Sequence, residues 1–155
     1  MVTGKVLKSG GRRHDVLSRW KGQVIRDGLL SPGAKVIAGV SGGADSVALL
    51  HLLYALRHDL SLHLTVAHYD HALRAGSSKD CAFVRKMTSS LGLDCVWERN
   101  TQPKPQGVSV EDFARQRRFD FFIRQANAVA ADAVILAHTQ DDLAETVLMR
   151  ILRGT

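Results

Sequence analysis

The feature that most constrains the fold is a regular alternation of short apolar segments with longer segments of helical spacing. The apolar segments cover residues 35–40, 60–68, 94–98 and 133–138. Uninterrupted Val, Ile, Leu and Ala are typical of strands that are covered on both faces. Helical spacing separates these strands, so the pattern predicts βαβ units and a parallel sheet.

The predicted helices cover residues 15–27, 44–57, 77–91, 109–129 and 140–152. Right-handed crossovers between parallel strands then give the strand order 3-2-1-4. We therefore expect a doubly wound, Rossmann-like α/β sheet. In this order the sheet reverses direction between its first and fourth strands, and ligands of such sheets bind outside the carboxyl ends of the strands at that point. The loops after Val40 and His138 should face one crevice.

Length and composition indicate an ordinary globular protein. The chain has 155 residues, of which 45% are hydrophobic and 23% charged, and this excludes a disordered chain, a collagen-like repeat and a disulfide scaffold. No apolar run approaches the roughly 20 residues that span a bilayer. No secretory signal is visible. We therefore expect a cytoplasmic protein without a membrane partner.

The net charge of +6 lies entirely in the first 35 residues, because acidic and basic residues balance over residues 36–155. Such a segment could attract a phosphate backbone, or it could be a solvated tail followed by a charged helix face. We divide the chain into a basic tail with a helix, residues 1–30, and an α/β domain, residues 31–155.

The loop after the first strand carries the strongest chemical signal. It consists of Ser41, Gly42, Gly43, Ala44, Asp45 and Ser46. Paired glycines let the backbone turn tightly and approach a ligand, and the free N–H groups of the following helix attract anions. The loop lacks the Gly-Lys-Ser/Thr of a Walker A motif and does not read GxGxxG. It predicts a phosphate site; the alternative is a plain strand-to-helix turn.

Four stretches resemble a known family. Residues 41–46 read SGGxDS, the signature of the PP-loop ATP pyrophosphatase superfamily. Residues 67–74 resemble the HxDHxLR segment of tRNA(Ile)-lysidine synthetases, residues 111–119 their ExxARxxR(Y/F) helix, and residues 138–155 their HxxDDxxET…RG segment. The four occur in order. Residues 31–155 therefore resemble the N-terminal PP-loop domain of these enzymes, whose fold is of the adenine nucleotide alpha hydrolase type.

The resemblance implies a two-step ligase reaction with ATP and Mg²⁺ as cofactors. ATP adenylates C2 of the wobble cytidine in tRNA(Ile) with a CAU anticodon, and the ε-amine of L-lysine then displaces AMP to form lysidine. The loop would hold the departing pyrophosphate, which suits the missing Walker lysine. The alternatives are another PP-loop tRNA-modifying enzyme, such as a thiolase, or a nucleotide-binding fragment without complete activity.

Nucleotide binding is expected from the loop of residues 41–46 together with Asp70 and His71, which follow the second strand. A carboxylate among phosphate oxygens makes sense with a cation, so Asp45 is the expected Mg²⁺ ligand and a catalytic residue. The alternative for Asp45 is a helix-start residue that the helix dipole favours. The alternative for Asp70 is a loop cap.

Three carboxylates in the last predicted helix, Asp141, Asp142 and Glu145, are expected to recognise lysine. One of them, for which we name Asp141, could instead accept the amine proton as a general base; the sequence does not decide between these roles. Arg115 and Arg118 are neighbours at i,i+3 on a helix. They are expected to contact phosphate or tRNA, with Arg115 also catalytic, unless they belong to a solvated face.

Cysteine usage and chain length supply the last expectations. Cys81 and Cys95 form no CxxC motif, and we expect reduced, buried thiols, whereas a thiolase would need reactive ones. Proteins of the resembled family continue well past the RGT at residues 153–155, so we expect a truncated fragment. An uncovered edge strand would invite association, so a homodimer is an expected partner state.

Overall fold

The computed structural model describes residues 11–137 and 148–150, with side chains for residues 18–137. The chain divides into two compact units, Met1–Ser31 and Pro32–Thr155. The first contains helix α1, Gly11–Arg26, which begins four residues before the predicted helix. Just past its end, Gly28 has a φ of +60°, and the Leu29 N–H donates back to the Val24 carbonyl at 3.1 Å.

The second unit is an α/β sheet with helices between its strands. Its elements are β1 Lys35–Gly39, α2 Ala44–Leu56, β2 His63–Asp70, α3 Ser77–Ser90, β3 Asp94–Arg99, α4 Val110–Val129, β4 Ala133–Leu136 and β5 Leu148–Arg150. The sheet order is β3-β2-β1-β4-β5, and β1 to β4 are mutually parallel. The predicted fold class and the order 3-2-1-4 are therefore confirmed.

Strand β5 corrects one prediction. It pairs antiparallel with β4, with Ile135 opposite Leu148, where the sequence analysis placed the end of a helix over residues 140–152. A short apolar run fits a strand as well as a buried helix, and the outer edge of β4 offers unpaired backbone groups. Residues 140–147 of that predicted helix lie outside the described residues.

Strand β2 ends later than predicted. Its pairing with β3 continues to Asp70, which lies opposite Arg99, and the N–H of Asn100 donates to the Asp70 carbonyl at 2.8 Å. Asp70 is therefore the last residue of a buried strand and not part of the loop that follows. On its other side β3 forms an edge of the described sheet, and the expected self-association stays a prediction.

The core lies on both faces of β1, the central strand. Val36, Ile37 and Ala38 are each at most 1% exposed. On one face, α4 supplies Phe121 and Phe122, whose ring centres lie 5.4 Å apart. Each buried side chain of this size contributes about 1.5–3 kcal/mol relative to an exposed one. Packing on both faces therefore holds β1 in place, and the loop of residues 41–46 begins close to the end of this well-packed strand.

Helix α4 begins as predicted. The Ser109 hydroxyl accepts the Asp112 N–H at 3.0 Å and donates to the Asp112 carboxylate at 2.7 Å, so Ser109 caps the first turn of α4. Over the described residues, no helix has the length and apolar character that crossing a membrane requires.

Candidate functional site

A cavity of about 340 Å³ opens where β1 and β2 end, and it also reaches the end of β4. Its lining combines the start of the loop after β1, the segment that ends β2, and side chains from α3 and α4. This is the edge at which ligands bind in open α/β sheets. The cavity is therefore the candidate site, and the loop of residues 41–46 borders it as predicted.

The two glycines of the loop differ in backbone conformation and in the space available for a side chain. Gly42 has a φ of +95°, a conformation that residues with a Cβ rarely adopt. Gly43 has an ordinary φ of −73°, and a Cβ there would meet only the Ser41 hydroxyl, at 3.5 Å. The turn therefore requires glycine at position 42, whereas the surrounding protein leaves room for a side chain at position 43.

The loop's two serines hold it in shape. The Ser46 hydroxyl donates to the Gly43 carbonyl at 2.9 Å, and the Gly43 N–H donates to the Ser41 hydroxyl at 3.3 Å. The two hydroxyl oxygens lie 3.1 Å apart. Because Ser46 is 4% exposed, its hydroxyl acts within the loop. We therefore expect the backbone N–H groups, rather than the Ser46 hydroxyl, to be the main donors to a phosphate.

The start of α2 leaves those N–H groups available. The first backbone bond of the helix runs from the Val47 N–H to the Gly43 carbonyl at 3.1 Å, and Gly43 offers no side-chain cap. The N–H groups of Ala44, Asp45 and Ser46 precede that bond and have no acceptor within the helix. They lie at the positive end of the helix dipole, which favours an anion.

Asp70 forms the loop cap that the sequence offered as its alternative role, and its nucleotide role stays a prediction. It lines the cavity and is 4% exposed. One carboxylate oxygen accepts the Ala72 N–H at 2.8 Å, and the other lies 3.6 Å from the Arg99 Nε. Asp70 therefore caps the turn after β2 and also presents a buried negative charge at the cavity.

His71 and Arg118 bring a neutral and a positive group to the same cavity. Burial lowers the pKa of His71, and the nearby Arg118 lowers it further. The His71 ring lies edge-on to Tyr69, with ring centres 5.0 Å apart. Burial and Arg118 therefore favour the neutral form of His71, while the charge of Asp70 acts in the opposite direction.

Only one of the two predicted arginines lines the cavity. Arg118 does so, and its Nε is buried without a hydrogen-bond partner among the described residues. Arg115 is exposed and lies outside the cavity lining. Burial lowers the pKa of Arg118, and the nearby charge of Arg115 lowers that pKa further. The structure thus separates an inward arginine from an outward one.

Asp45 lies in the first turn of α2 and is exposed. Within residues 18–137, no three His, Cys, Asp or Glu side chains come together as a metal site. Mg²⁺ commonly binds through one or two carboxylates completed by substrate phosphates and water. A single exposed carboxylate beside the loop of residues 41–46 is compatible with that mode, and the Mg²⁺ role of Asp45 stays a prediction.

The three carboxylates predicted for lysine, Asp141, Asp142 and Glu145, lie outside the described residues. The last residue of β4, Leu136, and the following residue, Ala137, line the cavity.

Several lining residues were not among the predicted site residues, and two of them, His68 and Gly39, matter most for the shape of the cavity. His68 is 3% exposed and lines it; its signal is a polar residue inside an apolar strand. Gly39 also lines it. A Cβ there would lie 2.8 Å from the Phe122 ring and closer still to Leu136, so glycine is required by packing. A glycine within a strand is the available signal for such close approach.

Both cysteines are free, and neither lines the cavity. Cys81 is buried in α3, and Cys95 is partly buried in β3. Burial raises the pKa of each thiol. Since the thiolate is the nucleophilic form, neither cysteine is activated.

Two curated tRNA(Ile)-lysidine synthases illustrate what the chain is similar to. The chain is 43% identical to a tRNA(Ile)-lysidine synthase of Symbiobacterium thermophilum over 143 residues. It is 42% identical to that of Geobacter sulfurreducens over 144 residues. Each match covers 90% of this chain and 30% of the relative, so the chain spans less than a third of the length of these relatives.

Among solved structures, a U34-tRNA thiolase of Methanococcus maripaludis, determined with its [4Fe-4S] cluster, has the same fold. The TM-score is 0.67 with 17% identity, and the match covers 92% of this chain and 56% of the thiolase. The family model described as PP-loop domain matches residues 16–155. With the SGGADS loop in place after β1, the chain belongs to the PP-loop domain family.

Proposed function

We propose that the chain is the ATP-binding domain of a tRNA-modifying ligase that joins L-lysine to the wobble cytidine of tRNA(Ile) with a CAU anticodon. The single observation that carries the proposal is the cavity at the ends of β1 and β2, bordered by the SGGADS loop. The 42–43% identity to tRNA(Ile)-lysidine synthases supports the choice of substrate.

The site divides into a phosphate end and a nucleoside end. The free N–H groups at the start of α2 suit the β and γ phosphates of ATP, since helix starts attract anions. Asp70 and His71, at the end of β2, suit the ribose or the base, because an acidic residue in this position of related sheets binds a ribose hydroxyl. Arg118 adds a positive charge at the cavity.

The proposed chemistry has two balanced steps. The O2 oxygen of the cytidine attacks the α-phosphorus of ATP, and the α–β bond breaks to release pyrophosphate. The lysine ε-nitrogen then attacks C2 and loses a proton, and AMP departs with the former O2. Asp45 would hold Mg²⁺, which supplies charge neutralisation at the phosphates. Arg115, which is exposed, would contact the tRNA backbone.

The direct test identifies the products. Full-length protein, supplied with ATP, tRNA(Ile) and lysine, should release pyrophosphate and AMP in equal amounts, with no dependence on added sulfur donor. Chromatography of the nucleotides checks this result. ADP as the main product would overturn the proposal, whereas ATP binding without turnover would favour a nucleotide-binding module.

A PP-loop thiolase is the second candidate, and the observations disfavour it. The likeness to the thiolase structure shows the fold alone, and the two cysteines, both within the described residues, lie outside the cavity lining. Incorporation of sulfur into tRNA would reverse this ranking.

The predicted lysine pocket gives a quantitative expectation. A charge-assisted contact contributes about 1.5–3 kcal/mol, so Asp141→Asn or Glu145→Gln should raise the lysine KM by about tenfold to a hundredfold. Adenylation of tRNA should persist, because the lost carboxylate acts in the second step. Measuring pyrophosphate release without lysine and lysine transfer separately checks both halves.

The competing assignment makes these carboxylates Mg²⁺ ligands. It predicts that adenylation itself collapses and that excess Mg²⁺ restores it, and this pattern would show that the lysine pocket lies elsewhere. Glu98→Gln, in β3 away from the cavity, is the control that removes a carboxylate without affecting either step.

A further inference from the structure

A side chain of β2 holds the last residue before the phosphate loop. The Nδ1 of His68 lies 2.8 Å from the Val40 carbonyl oxygen, and the Val40 N–H donates to the Ala67 carbonyl at 2.9 Å. Both sides of Val40 are thereby tied to β2. The Val40 carbonyl belongs to the peptide that leads into Ser41, so this bond lies at the start of the loop.

The geometry also specifies the His68 tautomer. A carbonyl oxygen can only accept, so Nδ1 must carry the proton that it shares with Val40. Nε2 is buried and, among the described residues, has no hydrogen-bond partner. A proton on Nε2 would therefore lack an acceptor, and the form with hydrogen on Nδ1 alone satisfies the arrangement best.

We propose that His68 is the positioning residue of the phosphate loop. Its Nδ1–H bond sets the direction in which the chain leaves β1, and the turn at Gly42 and the N–H groups of α2 follow from that direction. The inference deepens the proposed function and rests on ATP binding at the loop. Small displacements of a binding group reduce its effect strongly. Loss of the buried hydrogen bond at the start of the loop should therefore weaken the binding of the ATP phosphates.

Amide side chains separate the two ring nitrogens. His68→Asn places an N–H donor near the position of Nδ1, whereas His68→Gln places one near Nε2. His68→Leu removes both at similar volume. ATP should bind about tenfold more weakly to the Leu and Gln variants, the loss expected for one buried hydrogen bond. The Asn variant should bind within about threefold of wild type.

The measurement is calorimetric titration of the full-length protein with ATP, below the unfolding temperature of every variant. His63 is the exposed first residue of the same strand, so His63→Leu is the matched control and should leave the affinity for ATP unchanged. In turnover, positioning raises the KM for ATP in the Leu and Gln variants, whereas loss of folded protein lowers only kcat. Equal affinity of the folded Leu or Gln variant and wild type, or failure of Asn to restore binding, overturns the inference.

A second readout is independent of ATP. Hydrogen exchange of the backbone amides of residues 41–46, in nucleotide-free protein, should be faster in the Gln variant than in wild type and the Asn variant. If wild type fails to bind ATP, the proposed function falls, and this exchange pattern still decides whether His68 positions the loop. Should the Leu variant fail to fold, the Gln and Asn pair decides both measurements.

Discussion

Replacing Gly42 by valine is expected to weaken ATP binding by on the order of 100-fold. The φ of +95° at this position is costly for any residue with a Cβ and most costly for a β-branched one. Strain of about 1–3 kcal/mol should push the loop out of its turn and carry the N–H groups of α2 away from the phosphates. Titration with ATP checks the affinity, and thermal unfolding checks the fold.

Two companion variants make the result specific. Gly107→Val places valine at a φ of +79° in open space, far along the chain, and should reduce stability without affecting ATP binding. Gly43→Val meets only the Ser41 hydroxyl, so a loss of ATP binding by this variant at unchanged stability would report a collision with the ligand itself. Undiminished ATP binding by both Gly42→Val and Gly43→Val would show that the phosphates do not bind at this loop.

Asp45→Asn is expected to reduce Mg²⁺-dependent adenylation by about 100- to 1,000-fold while the protein stays folded. Charge stabilisation by a bound metal is worth several kcal/mol in phosphoryl chemistry, and amides are poorer ligands than carboxylates for this hard cation. The exposed position of Asp45 limits the cost to the fold to about 0.3–1 kcal/mol from the helix dipole. Pyrophosphate release against Mg²⁺ concentration checks the rate.

The control for this variant is Asp112→Asn. Asp112 also lies in the first turn of a helix, α4, so it reproduces the dipole contribution away from the loop, and its adenylation rate should stay near that of wild type. A near-normal rate in Asp45→Asn would show that Asp45 only stabilises the start of α2.

The strand order was predictable because it follows from chain connectivity and the handedness of crossovers, which short apolar segments suffice to reveal. The ends of the strands were not. Asp70 belongs to β2 because Arg99 lies opposite it on β3, and no local pattern shows how far two strands stay paired. Likewise β5 depends on a free edge of β4, which exists only in the assembled sheet.

The site was predictable where the backbone carries the chemistry. Gly42 and the start of α2 follow from a glycine pair between a strand and a helix. Which of two adjacent arginines turns inward was not predictable, because Arg115 and Arg118 share a helix face at i,i+3 and only packing distinguishes them. His68 belongs to the HxDHxLR-like segment, but its contact was not predictable, because its partner is a backbone carbonyl 28 positions away in the chain.

The lack of a Cβ at Gly39 has a consequence for redesign of the cavity. Phe122 and Leu136 occupy the space that a Cβ at Gly39 would take, and both side chains line the cavity beside β1. Nothing can be trimmed from the strand to deepen the cavity. Shortening Phe122 or Leu136 would deepen the cavity on this side, and each such change would also remove packing from the core cluster to which both residues belong.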